Sequence, residues 1–163
     1  MNIKNLTPVL FVKNALISAS FYQNVMGFTV VMNNGDQNFL FKEGLAVWQI
    51  DDDNIISRTH GVEPLIDSKA IGRFEICFET EEIDSVYEKL KEAKVSFLHE
   101  INTEIWGQRT IRFYDPDGHL IEIGEAMAVF LKRILDEENG DFAATSRRTF
   151  TSEEVIKQLL GIS

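Results

Sequence analysis

The pattern of apolar and polar positions repeats once along the chain. Each copy starts with a short apolar run, continues through a segment of helical character and returns to an apolar run. These patterns predict a strand, a helix and a second strand. The predicted elements are residues 7–12, 14–26 and 27–31 in the first copy, and 74–78, 81–93 and 94–98 in the second.

Two more strands are predicted after each copy. They are residues 38–42 and 45–50 in the first half, and 109–114 and 119–123 in the second. The pattern therefore predicts an α+β fold of tandem βαβββ modules. We expect the first module at residues 1–58, a linker at 59–72 and the second module at 73–125.

Residues 126–163 predict a helical C-terminal extension. Apolar residues on one face indicate a helix at 126–135. Residues 137–148 are polar and predict a mobile segment, with Asn139-Gly140 as a turn. Thr151 to Glu154 has the pattern of a capping box that opens a last helix, and Gly161 ends it.

Composition limits the partners of this chain. Its 163 residues carry a formal net charge of −10, which repels phosphate backbones and excludes nucleic acid as an expected partner. We expect no membrane partner, because no apolar stretch approaches the roughly 20 residues of a span. The first residues lack a signal peptide's apolar region, so we expect a cytoplasmic protein. Cys77 lies in an apolar run and is predicted to be a small buried thiol.

The segment from Trp106 to Glu125 carries the most specific pattern. Asp115-Pro116-Asp117-Gly118 has the chemistry of a tight turn between two strands. Glu122 then interrupts an apolar strand. A carboxylate in that position needs a cationic partner, a metal or a ligand.

This hairpin resembles the last hairpin of the vicinal oxygen chelate superfamily, which includes glyoxalase I, bleomycin-resistance proteins and extradiol dioxygenases. The resemblance covers roughly residues 4–125. It implies that the tandem βαβββ modules form a curved mixed sheet around a cleft and that the protein is a homodimer. The cleft is then the expected site of a small-molecule ligand.

In the metal-dependent relatives, four ligands come from equivalent places in the two modules. The resemblance carries these places onto Thr7, Gln49, Glu75 and Glu122. We expect Glu122 and Glu75 to be the catalytic groups, and Glu122, Glu75 and Gln49 to be the metal ligands. Oxygen donors without imidazole favour Mg²⁺, Mn²⁺ or Ca²⁺ and argue against extradiol dioxygenase chemistry.

A site without any cofactor is equally compatible with the sequence. Arg109 and Arg112 lie in the same hairpin, and they could pair with Glu75 and Glu122 in a polar pocket. The three histidines show no ligand spacing, and His60, His99 and His119 are predicted to be surface residues.

Aromatic residues supply the other indication of a binding site. Trp106 lies in a loop that leads into a strand, which is a suitable place for a pocket wall. Arginine beside aromatic rings suits an anionic, partly planar ligand. The predicted pocket residues are Thr7, Phe11, Trp48, Trp106, Arg109 and Phe113.

Two classes of function remain open at this point. One is a glyoxalase-like, metal-assisted lyase or isomerase that acts on a small oxygenated molecule. The other is a metal-free protein that binds small molecules of the antibiotic type, for which an acidic surface favours basic ligands. The C-terminal helices are predicted to lie against their own subunit or against a partner.

Overall fold

The computed structural model describes residues 7–52, 58–59 and 75–162. The predicted linker and His60 lie largely or wholly outside these residues. The first module contains β1 (Val9–Val12), α1 (Ala15–Asn24), β2 (Val30–Asn34), β3 (Asn38–Phe41) and β4 (Ala46–Gln49). The second contains β5 (Ile76–Thr80), α2 (Ile83–Glu92), β6 (Ser96–Thr103), β7 (Arg109–Tyr114) and β8 (Leu120–Glu125). The extension contains α3 (Met127–Glu137), α4 (Phe142–Thr149) and α5 (Glu153–Leu160).

The α+β class and the tandem βαβββ order are confirmed. The eight strands form two four-stranded sheets, one in each module, rather than a single sheet. The strand orders β1-β4-β3-β2 and β5-β8-β7-β6 are the same in both modules. In each, the first strand pairs in parallel with the last strand, so each sheet is mixed.

Several boundaries differ from the prediction. Strand β2 starts at Val30 instead of residue 27, because Gly27 has a φ of 73° and turns the chain after α1. Strand β6 is longer than predicted and runs to Thr103.

The predicted mobile segment at residues 137–148 is wrong, because α4 occupies most of it. The side chain of Asp141 caps this helix by accepting a hydrogen bond from the backbone N–H of Ala144 at 3.0 Å. Thr145 and Thr149 are buried and donate to backbone carbonyls one turn earlier. A helix with a side-chain cap therefore forms in a segment whose polar composition does not predict one. The last helix, α5, is capped by Ser152 rather than Thr151, and Gly161 ends it as predicted, with a φ of 66°.

The chain divides into two compact units. The first extends to Phe74 and also takes in Tyr114–Leu120, and the second comprises Glu75–Phe113 and Ile121–Ser163. The C-terminal helices therefore belong to the second unit. Among the described residues, no helix combines the length and apolar character needed to cross a bilayer.

The turn between β7 and β8 is held inside the first unit by its two aspartates. Asp115 accepts hydrogen bonds from the buried Tyr22 hydroxyl at 2.9 Å and from the backbone N–H of His119 at 2.8 Å. Asp117 accepts from the Ser18 hydroxyl at 2.6 Å and from the backbone N–H of Lys13 at 2.8 Å. The two aspartates that the sequence identifies as turn residues therefore also form tertiary hydrogen bonds.

His119 is not the surface residue that the sequence predicts. Its side chain is 16% exposed, and Nδ1 lies 2.9 Å from the Asp115 carboxylate. Burial opposes a charge on the ring, but the hydrogen bond and charge of Asp115, with that of Asp117, outweigh burial and raise the pKa of His119. The protonated ring is therefore the form that the folded turn prefers.

Replacing His119 tests this arrangement. A histidine whose pKa is raised on folding adds stability below its unfolded pKa, and that stability is lost as pH rises through the folded pKa. We expect His119→Gln to lower the free energy of unfolding by about 1–2 kcal/mol at pH 5.5 and by clearly less at pH 8.5. Urea unfolding at both pH values measures this difference.

The control is Tyr22→Phe, which removes another hydrogen bond to Asp115 but no group that titrates in this range. Its loss of stability should be similar at both pH values. An equal effect of pH on the two variants would contradict the assignment.

Candidate functional site

Arg112 on β7 is the centre of a charged cluster in the second unit. Its Nε lies 2.9 Å from Glu75 Oε2, and its Nη1 lies 2.6 Å from Glu104 Oε1. Its Nη2 contacts the carboxylate of Glu122. His99 Nε2 lies 3.2 Å from Nη1. One guanidinium thus forms ion pairs with three carboxylates.

Strand order explains how these residues meet. Strand β8 lies between β5 and β7. Cys77 on β5 pairs with Glu122 on β8, and Glu75 lies two residues before Cys77, so it shares that face of the strand. Arg112 reaches the group from β7 on the other side of β8.

The pKa values of the charged groups in the cluster depend on one another. Partial burial opposes the charge of Arg112, but its hydrogen bonds with Glu75 and Glu104 outweigh burial and raise its pKa. The hydrogen bond from Arg112 lowers the pKa of Glu104. Burial raises the pKa of Glu122; Arg112 opposes this, and the charges of Glu75 and Glu104 add to it. Glu122 is therefore the carboxylate that takes up a proton more readily than usual.

Cys77 is exposed, so its predicted burial is wrong. The strand phase places it beside Glu75 and Glu122, and donor atoms of the three residues all lie within 4.8 Å of one another. Burial by its neighbours, followed by the charges of Glu122 and Glu75, raises the pKa of Cys77 to about 11. Its thiol stays protonated at neutral pH and is a weak nucleophile.

An open pocket of about 450 Å³ lies next to this cluster. Its lining residues are Cys77, Phe78, Glu79, Gln108, Glu122 and Gly124. The side chains of Cys77, Glu79 and Glu122 share one face of the sheet and line this space, whose volume is within the range of small-molecule sites.

Gln108 forms a wall of this pocket and is held at both ends of its amide. Its Oε1 accepts from the indole N–H of Trp106 at 3.1 Å, and its Nε2 donates to the carbonyl of Glu125 at 2.8 Å. A Cβ on Gly124 would lie 2.9 Å from Gln108 Nε2, so a side chain at this position would displace the amide.

The four positions carried over as metal ligands are not equivalent in the strand register. Thr7 lies two residues before Val9, whose partner on β4 is Ala46. Glu75 lies two residues before Cys77, whose partner on β8 is Glu122. If Thr7 is the counterpart of Glu75 in the two modules, the strand register makes Ala46, and not Gln49, the counterpart of Glu122.

Gln49 pairs with Val12 as Glu125 pairs with Thr80. Thr7 and Gln49 therefore differ by five residue steps, or about 16 Å, along parallel strands, and the structure does not bring them together. Gln49 Oε1 instead accepts from the backbone N–H of Ala15 at 3.1 Å, where α1 begins. Its role as a metal ligand stays a prediction that this geometry does not support.

The predicted pocket residues separate into two groups. In the first unit, Phe11 and Trp48 are half-buried and meet edge to face, with ring centroids 6.3 Å apart. In the second unit, Phe113 is fully buried and belongs to the core. Arg109 is paired with Asp84 on α2, at 3.0 Å from Nη1 to Oδ2. Trp106 lies against the C-terminal helices.

Sequence reasoning missed Glu79, Gln108 and Glu104 as parts of the site. Strand phase was the available signal for Glu79, because it alternates with Phe78 and shares a face with Cys77. Glu104 and Gln108 lie in the loop between β6 and β7, where side-chain direction depends on tertiary contacts. No sequence pattern indicates their position.

The donor set fits a divalent metal poorly in this arrangement. Glu75 and Glu122 come together with the Cys77 sulfur, but both carboxylates are already bonded to Arg112. A dication at the same oxygens would lie close to a guanidinium of like charge. Metal binding here would require Arg112 to move away.

Tandem βαβββ modules, with a polar cluster that includes a glutamate on the last strand, agree with a glyoxalase-like fold. The family model described as a glyoxalase-like domain matches residues 6–128. The chain therefore belongs to the glyoxalase-like domain family, within the vicinal oxygen chelate superfamily. No curated protein matches the chain significantly.

Solved structures agree with this fold. A protein of unknown function from Agrobacterium tumefaciens is 28% identical, with a TM-score of 0.66 over 78% of this chain and 97% of that one. A lactoylglutathione lyase from Agrobacterium tumefaciens is 22% identical, with a TM-score of 0.55 over 77% and 96%. A mutant fosfomycin resistance protein from Listeria monocytogenes, complexed with Mn(II) and dihydroxypropylphosphonic acid, is 23% identical, with a TM-score of 0.57 over 82% and 98%.

Removing the guanidinium tests how much the cluster depends on it. Arg112→Met leaves three neighbouring carboxylates without their shared cation, so we expect a loss of about 2–4 kcal/mol at pH 7. A lowered carboxyl pKa, as in Glu104, adds stability above the unfolded pKa that is lost as pH falls through the folded value. The loss in Arg112→Met should therefore shrink at pH 4, as measured by urea unfolding.

Arg148→Met is the matched control. Arg148 is 39% exposed and pairs with Glu137, which is 43% exposed, so its removal should change stability by less than about 1 kcal/mol. Equal losses in the two variants would contradict the central role of Arg112.

Proposed function

We propose that this protein binds small molecules in the pocket beside Arg112 and does so without a divalent metal. The observation that carries the proposal is the bonding of Arg112 to both Glu75 and Glu122. These are the second-module positions where metal-dependent relatives carry ligands. A side-chain cation here occupies the oxygens that a metal would use.

The charge around the pocket favours a ligand with a positive group. Three carboxylates face one guanidinium in the cluster, and Glu79 lines the pocket as well. The unbalanced negative charge attracts an ammonium or guanidinium group. The proposed ligand class is therefore a basic organic molecule.

A matched compound panel tests the proposal. We expect alkylamines and guanidines, which are protonated at pH 7, to bind saturably, whereas the corresponding carboxylic acids should not. Glu79→Gln should weaken amine binding by about tenfold, because a charge-assisted contact is worth roughly 1.5 kcal/mol. Isothermal titration calorimetry on the metal-free protein measures both effects.

The control variant is Glu88→Gln. Glu88 is exposed on α2 and pairs with Lys91, so its replacement changes net charge equally but should leave amine affinity unaltered. Equal weakening of amine binding in both variants would show that the effect comes from overall charge and not from Glu79. Saturable binding of the acids alone, or of no compound, would overturn the proposal.

A metal-assisted lyase or isomerase is the second candidate. It is favoured by the donor atoms of Glu75, Cys77 and Glu122, which lie within 4.8 Å of one another. Elemental analysis of protein purified without chelator or nickel resin distinguishes the candidates. One equivalent of divalent metal, lost in Glu122→Gln, would support the second candidate and contradict metal-independent binding.

A further inference from the structure

We infer that the C-terminal helices set the shape of the pocket by fixing Gln108 through Trp106 and Arg133. Arg133 and Trp106 are positioning residues in this arrangement, because neither lines the pocket. The inference rests on the proposed function only in treating this pocket as the ligand site.

Arg133 on α3 joins the extension to the last strand of the module. Its Nη2 lies 2.6 Å from Glu125 Oε2, and its Nε lies 3.2 Å from Oε1. The Glu125 carboxylate also accepts from the backbone N–H of Arg109 at 2.9 Å. Glu125 is 3% exposed, and this buried charge is compensated mainly by Arg133 at 2.6 Å, with the Arg109 guanidinium more distant at 4.0 Å.

The loop between β6 and β7 rests directly on the same helix. Arg133 Nη2 donates to the carbonyl of Gly107 at 2.8 Å. Gly107 has a φ of 97°, and a Cβ there would lie 3.0 Å from Ile134 Cδ1. Both the conformation and the close approach require glycine at this position.

Trp106 anchors the adjacent part of this loop. Its ring lies against a buried cluster formed by the helices α3 and α5: Phe130, Leu131, Ile134 and Ile156. The ring is thereby fixed by the extension, and its indole N–H points to the amide of Gln108.

The side-chain amide of Gln108 therefore accepts one hydrogen bond and donates another, and both partner residues contact the extension. One partner is Trp106, and the other is the carbonyl of Glu125. Loss of either anchor frees a side chain that forms the pocket wall beside Cys77. The extension thus fixes the position of one pocket wall without contributing a residue to the lining.

Alkylation of the single cysteine tests this inference without any ligand. Cys77 is exposed beside the Gln108 wall, so its rate of reaction with a bulky maleimide reports on the space that this wall leaves around the thiol. We expect Trp106→Phe and Arg133→Gln to accelerate alkylation at least about threefold under native conditions. Gly124→Ala, which displaces Gln108 directly, should do the same.

The control is Arg148→Gln, which breaks ion pairs inside the extension but does not touch the loop or β8. Its alkylation rate should equal that of the unaltered protein. All rates are measured well below each variant's melting temperature, so that global unfolding does not contribute.

A second readout keeps the inference testable if Arg133→Gln folds poorly. The chain has two tryptophans, so Trp106→Phe identifies the indole N–H resonance of Trp106. In Gln108→Leu this resonance should shift, and its hydrogen exchange should accelerate.

Unchanged alkylation in Trp106→Phe and Gly124→Ala would overturn the inference. Faster alkylation together with a compound panel that shows no binding would instead contradict only the proposed function.

Discussion

The guanidinium of Arg112 is the interaction on which the second module depends. Glu75, Glu104 and Glu122 reach the same space from three parts of one sheet. Like charges at this spacing repel, and partial burial makes each charge less favourable. A planar fork of donors can satisfy all three carboxylates at once, which an ammonium group could not do with the same geometry. The cluster and the pairing of these strands therefore stabilise one another.

A side-chain cation gives this site different chemistry from a metal ion. A bound metal keeps open positions at which a substrate oxygen can be polarised. The donors of Arg112 are largely occupied by Glu75, Glu104, Glu122 and His99. Little of its charge remains directed toward the pocket. Glu79 and the protonated Cys77 thiol remain as pocket groups, which is the basis of the proposed binding function.

The repeated pattern of strands and helices was enough to predict the modules, because burial of one face imposes a period on the sequence. Strand register was not predictable from that pattern. By residue type, Gln49 is the expected counterpart of Glu122, yet in the register it matches Glu125. Arg112 was available as a partner for Glu122, but only strand order shows that it reaches Glu75 and Glu104 as well. Helix α4 was missed because its stability comes from the Asp141 cap and buried threonines rather than from an apolar stripe.

The matching positions Gln49 and Glu125 show why the extension is part of the second module. Each residue ends the last strand of its sheet, and each side chain accepts a backbone N–H: that of Ala15 for Gln49 and that of Arg109 for Glu125. A neutral amide can do this without a counter-charge. A carboxylate that is 3% exposed cannot; Arg109 lies 4.0 Å away, and Arg133 on α3 supplies the closer cation at 2.6 Å. The C-terminal helices therefore compensate a charge inside the module, and the same contacts hold the loop that forms the pocket wall.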